Sequence, residues 1–179
     1  MFALTIPMAA TSVSACEKDS PLLAGKNLDI GDVTVYIHHT QGQYIGVYGP
    51  YIDVVYEITE DGWYILETHM AITTLDPSEK QNYANPEMKQ TKKGNPIPGQ
   101  FPYKHDFSIS EHVTMDTFTL KVGDIDAEPG DTLYVAAHAS VVHVSGCGAI
   151  DRCETAWADS GVSFNGANWA YYFSIEYAV

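Results

Sequence analysis

Apolar and polar residues alternate with a period of two along most of the chain, the pattern of strands with one buried face. Val33, Val35 and Ile37 alternate with Thr34, Tyr36 and His38, and Ile45 and Val47 repeat the pattern within residues 43–48. Ile52, Val54, Tyr56 and Ile58 share one face, opposite Asp53, Glu57 and Thr59. The sequence Glu60-Asp61-Gly62 has the composition of a tight turn, because Asp-Gly supplies the positive backbone angles a hairpin needs; the strands on either side of it are therefore expected to pair. In residues 63–73 strict alternation places Trp63, Ile65, Glu67, His69 and Ala71 on one face, and Tyr64, Leu66, Thr68, Met70 and Ile72 on the other. Shorter strands are expected at residues 107–109, 114–122 and 154–158, with Phe118, Leu120 and Val122 inward in the second. Within residues 132–144, Leu133, Val135, Ala137, Ala139 and Val141 oppose Tyr134, His138 and Val142. The chain closes on an alternating row, Trp169, Tyr171, Phe173, Ile175 and Tyr177, whose first three rings are expected in the core.

Residues 75–104 break this rhythm with prolines, amides and five of the nine basic residues. A segment that long with no hydrophobic period is read as a functional or packing loop. Short strands separated by Gly, Pro, Asn and Asp turns, with no amphipathic helix and no repeat, predict an antiparallel β-sandwich. Its expected type is jelly-roll or immunoglobulin-like, with about eight or nine strands.

Charge narrows the partners. Acidic residues outnumber basic ones 23 to 9, a formal net charge of −14. Such a body is repelled by phosphate backbones, which argues against nucleic acid as a partner, and by anionic lipid as well. The 12 tyrosines and 3 tryptophans point elsewhere: ring faces stack on sugars or peptides while their polar edges bond hydroxyls. Trp63, Trp157, Tyr44, Tyr48 and Tyr51, near turns or strand starts, are the candidate ligand-binding rings.

The N-terminus bears on location. Residues 2–10 carry no charge, and the small side chains of Val13 and Ala15 precede Cys16, as a signal peptidase requires. Val13-Ser14-Ala15-Cys16 resembles the lipobox of bacterial lipoproteins. That resemblance implies cleavage before Cys16, acylation of the Cys16 thiol and amine, and stable anchoring by several chains. The following Glu17-Lys18-Asp19-Ser20 is similar to the export tag of Bacteroidetes surface lipoproteins, which implies an outer-membrane protein at the cell surface. Nothing before Lys18 is basic, so the basic leader of such a signal is expected upstream of Met1. The implied organisation is a signal peptide at 1–15, a lipidated tether at 16–26 and one domain at 27–179.

With Cys16 acylated, Cys147 and Cys153 remain as a pair around a five-residue insert, and a local disulfide is favoured over free thiols or a metal site. Two metal groupings are also conceivable. Glu67 and His69 on one strand face with His138 on another strand would suit zinc if the imidazoles converge. Asp124, Asp126, Glu128 and Asp131 in one turn would suit calcium, although their spacing is not that of an EF-hand.

Four stretches, Gly62-Trp63-Tyr64 with Glu67-Thr68-His69, Pro98-Gly99-Gln100-Phe101-Pro102-Tyr103-Lys104-His105, Leu133-Tyr134-Val135-Ala136-Ala137-His138-Ala139 and Glu154-Thr155-Ala156-Trp157-Ala158, resemble a group of uncharacterised exported microbial β-rich domains. The resemblance implies export and domain extent, and no functional residue. Nucleophile, phosphate-loop and dinucleotide motifs are absent. The expectation is a surface binding module for glycan or peptide. A self-assembling subunit of a surface layer or filament is the first alternative, and a metal-dependent or carboxylate-based hydrolase, drawing on residues such as Asp53, Glu57, Glu67, Asp159 and Glu176, is the second.

Overall fold

The computed structural model describes residues 16–39 and 49–178. Residues 40–48, with the expected strand at 43–48 and the candidates Tyr44 and Tyr48, lie outside them, as does the proposed signal segment 1–15. Among the described residues ten strands form: β1 (Cys16–Ala24), β2 (Leu28–His38), β3 (Tyr51–Ile58), β4 (Trp63–Thr73), β5 (Tyr103–Asp106), β6 (Met115–Lys121), β7 (Thr132–Val144), β8 (Ile150–Ala158), β9 (Val162–Ser163) and β10 (Tyr171–Glu176). No α-helix occurs among the described residues, only short 3₁₀ turns. The all-β, antiparallel expectation therefore holds.

The expected sandwich does not. The strands form one continuous wall in the order β5-β4-β7-β8-β1-β2-β3-β6, curled until its two ends face each other. At that seam His105 Nδ1 lies 2.9 Å from Asp116 Oδ1, and the Thr68 hydroxyl donates to Asp116 Oδ2 at 2.5 Å. A backbone bond adds to the closure, from Ile65 N–H of β4 to Val113 O just before β6, at 2.8 Å. Alternation along single strands is the same for a sandwich and a barrel, so the sequence pattern cannot choose between them. Residues 16–26 are likewise not a tether: β1 is part of the wall, paired to β2 and β8, with Ser20, Leu22 and Ala24 buried.

The lumen holds the larger core. Val33, Val35, Ile37, Ile52, Val54, Tyr56, Phe118, Leu120, Leu133, Val135, Ala137 and Val141 all point into it, as their alternation predicts. A wall of about eight strands leaves an interior just wide enough to fill with side chains, and here they fill it.

Two expectations about β4 fail, for separate reasons. The turn at Gly62 forms, with φ of +81°, yet it does not pair β3 with β4. The edges of β3 are occupied by β2 and β6, and those of β4 by β5 and β7. The turn docks instead on the end of β7, where Val144 N–H donates to Gly62 O at 2.8 Å. The second failure is a register shift between Ile65 and Glu67. One extra residue in a strand swaps the faces of everything after it. Trp63 and Ile65 thus point into the lumen with Met70 and Ile72, whereas Ala71 packs outside. Glu67 and His69, in step with Ala71, share that outer face.

Outside the wall a second, smaller core forms from Ala71, Met88, Phe101, Ala136, Trp157, Phe164, Ala170 and Tyr172. It lies between the outer face of β4, β7 and β8 and two covering segments, the long loop and residues 159–170. The second segment arises because β7 is long: β8 pairs with residues 138–144 of it and β10 with residues 132–135. The chain therefore leaves the wall after β8, crosses its outer face and re-enters as β10. Phe173 reaches the lumen as expected and Ile175 joins it, but Trp169 and Tyr171 only flank the outer core, half-buried.

Candidate functional site

The outer face carries the chemistry. His69 and His138 are direct cross-strand partners, and their Nδ1 atoms stand 3.4 Å apart. Both are nearly enclosed, at 8% and 7% exposure. The Trp157 ring meets His138 edge to face, with centroids 4.8 Å apart. Burial, together with the neighbouring His69, pushes the His138 imidazole down to about 3, so this ring is neutral across the physiological range. His69 is lowered too, chiefly by burial and with a contribution from Lys104, against the opposing pull of Glu67 and Asp106.

The imidazoles converge as the zinc expectation required, but its third member does not join them. The Glu67 carboxylate accepts a hydrogen bond from the Ser140 hydroxyl at 3.3 Å. Among the described residues no three His, Cys, Asp or Glu side chains gather as a metal site would need. The calcium grouping fails on the same ground. Its Asp131 carboxylate instead accepts from Glu128 N–H, and the Asp126 backbone adopts a left-handed conformation that ends a 3₁₀ turn.

The other candidates disperse. Trp63 is buried in the lumen, 5.7 Å beneath the Arg152 guanidinium, beside a cavity of about 260 Å³ shared with His143 and Asp151. Tyr51 is buried and stacked on His38 at 4.2 Å. Cys147 and Cys153 are free, exposed thiols, so the expected disulfide is not formed. The turn between β7 and β8 closes through Ser145 N–H to Ala149 O, leaving Cys147 near its tip while Cys153 is fixed in β8 opposite Val142. Hydrogen bonds from the Ser145 hydroxyl and the Ala149 backbone lower the Cys147 thiol.

Trp157 is where sequence and structure meet. It lines a cleft of about 280 Å³ with His138, Thr155, Trp169, Asn168 and Ala170 from the wall and the crossing segment, and Pro96 and Pro98 from the long loop. Trp157 itself is 5% exposed and forms the floor, whereas Trp169 is half-buried and Thr155 and Asn168 are exposed. The walls are fastened to each other. Asn168 N–H donates to Asn95 Oδ1 at 3.0 Å, and Gly166 N–H to Gly94 O at 3.1 Å. Gly94 has φ of +79°, and a Cβ there would stand 2.8 Å from the Tyr83 hydroxyl, so this junction requires glycine.

Sequence reasoning placed Trp169 in the core and had no reason to select Thr155, Asn168, Pro96 or Pro98. The available signal was a long loop rich in proline and amides followed, many residues later, by an Asn- and Gly-containing turn. Nothing in either segment says that they meet.

Compared with known proteins, the chain matches no family model, no curated protein and no solved structure.

Proposed function

We propose that the protein is a glycan-binding module held at the cell surface by lipid. The observation that carries the binding reading is the cleft beside Trp157. It combines the half-buried Trp169 ring, the exposed hydroxyl of Thr155, the exposed amide of Asn168 and a neutral imidazole. Sugars present this same mixture, with apolar C–H faces that stack on indole and hydroxyl rims that exchange hydrogen bonds. Proline walls and a hydrogen-bonded junction hold the cleft open before any ligand arrives, which lowers the ordering cost of binding.

Anchoring rests on the lipobox-like residues ending at Cys16. Cys16 opens β1 opposite Ile37, so acyl chains on it would hold the barrel directly against the bilayer, without a spacer. Lipid supplies the attachment that an acidic surface would otherwise resist. Intact-mass measurement of the native protein is expected to show a chain beginning at Cys16 and carrying acyl groups; an unmodified Cys16 within a longer chain would remove the anchor.

Binding is tested on the lipid-free domain with a glycan array followed by calorimetry. Trp169→Ala is expected to weaken the best glycan at least about tenfold, in keeping with a central aromatic contact. Unchanged affinity in a folded variant would remove the cleft from the binding surface.

A further inference from the structure

The cleft beside Trp157 has a neighbour of opposite character. Residues 89–97 form a small hairpin on the outer face, closed by Ile97 N–H to Lys89 O, Thr91 N–H to Asn95 O and Gly94 N–H to Thr91 O, at 3.0, 2.8 and 2.9 Å. Pro96 of this hairpin lines the aromatic cleft. Its other flank borders two adjoining clefts of about 350 and 510 Å³, lined by Lys80, Lys89, Lys92, Lys93, Tyr83 and Asn165 among others.

Four of the chain's nine basic residues thus surround one depression in a protein of net charge −14. None of them pairs with a carboxylate: among the described residues, every ion pair is between a histidine and an aspartate. Two acids of the same loop, Asp76 and Glu79, accept local hydrogen bonds rather than forming ion pairs with these lysines. Asp76 accepts from Ser78 N–H at 2.8 Å, and Glu79 from the Gln81 amide at 2.5 Å. With carboxylates so abundant, four ammonium groups around one cleft, none of them in an ion pair among the described residues, make this loop a basic patch on an acidic body.

The cleft is also built rather than loose. Gln90 is buried and donates to Pro77 O at 3.0 Å, tying the hairpin to the start of the loop. The Asn165 amide donates to Ser78 O at 2.5 Å and to the Tyr83 hydroxyl at 3.0 Å, tying in the crossing segment. Asn165 on the basic side and Asn168 on the aromatic side belong to one short stretch, so the two depressions adjoin across the hairpin.

We infer that the glycan is acidic, an oligosaccharide carrying carboxylate groups, with one sugar against Trp169 and its anionic neighbours over the lysines beyond the hairpin. This deepens the glycan-binding reading and rests on it. The lysines supply charge specificity, which the aromatic cleft alone lacks. The surrounding acidic surface disfavours the denser charge of nucleic acid, about one per 1.7 Å of duplex, more than the sparser charge of a uronic-acid chain.

The test uses the lipid-free domain, an oligogalacturonate and a neutral galacto-oligosaccharide of equal length. The acidic probe is expected to bind at least about tenfold more tightly, and to weaken several-fold as ionic strength rises from about 0.05 to 0.5 M. Lys92→Glu with Lys93→Glu, and separately Lys80→Glu with Lys89→Glu, should abolish that preference while leaving neutral-probe affinity and melting temperature unchanged. Equal affinity for the two probes, or an acidic preference that survives both double variants, overturns the inference and spares the aromatic cleft. A folded domain that binds neither probe, on which Trp169→Ala likewise has no effect against any arrayed glycan, overturns both readings.

Discussion

The inside and outside of the same wall solve different problems. In the lumen, side chains from successive strands pack against one another, mostly aliphatic with Tyr56, Phe118 and Phe173 among them. On the outer face of β4, β7 and β8 the core is aromatic and small, and it is roofed by two irregular segments that leave clefts on both sides of a hairpin. The side chains of that buried cluster are almost wholly enclosed, so its contribution is rigidity. The roofed face is where polar groups can be held in place yet remain accessible, because loops can present side chains that a regular strand would either bury or release to water. The comparison assigns stability to the lumen and recognition to the roof.

The largest expected effect breaks the lumen. Phe173 is fully buried there, and Phe173→Ala should cost roughly 3–5 kcal/mol in denaturant unfolding, through lost transfer energy and the cavity left behind. A cost below about 1 kcal/mol would mean that the lumen is not close-packed. Trp169→Ala is the counterpart on the roof. A half-buried ring at a cleft edge should cost no more than about 1 kcal/mol of stability while removing most of the binding, so the two variants should separate stability from recognition in opposite directions.

A finer effect concerns pH. His138 is neutral when folded, with its imidazole held down to about 3, whereas an unfolded histidine titrates near 6.5. Below 6.5 the unfolded chain binds a proton that the folded chain refuses. The folded state therefore keeps its full stability above about 6.5 and loses part of it as pH falls towards 3. His138→Gln should flatten this acid limb of the stability curve. Parallel curves for the two proteins would show that His138 is protonated in the folded state and that the outer core is wetter than its burial implies.

How much of this was legible in the sequence varies with position. The inward faces of β2, β3, β6 and β7 follow from alternation alone, since a period of two fixes which side chains share a side. In β4 that rule broke at one residue, because a bulge leaves no mark in composition and displaces Glu67 and His69 to the opposite face from Trp63. The pairing of His69 with His138 was foreseen as a question of register and came out convergent, yet Glu67 turned to Ser140 instead. Trp169 was misplaced because the alternating row was assumed to begin before the strand did: β10 starts only at Tyr171.

The sequence by itself determined an antiparallel all-β chain, the lumen-facing residues of β2, β3, β6 and β7, its acidity and the existence of an unusual basic loop. Each is a local property, set by side-chain period or by composition. Tertiary structure alone decided that the sheet curls into a nearly closed, barrel-like wall rather than splitting into a sandwich. It alone decided, too, that the loop and the crossing segment meet over Trp157. Those outcomes depend on which edges remain free and on bonds such as that from Asn168 to Asn95, made between residues 73 positions apart, and no local pattern encodes a contact at that range.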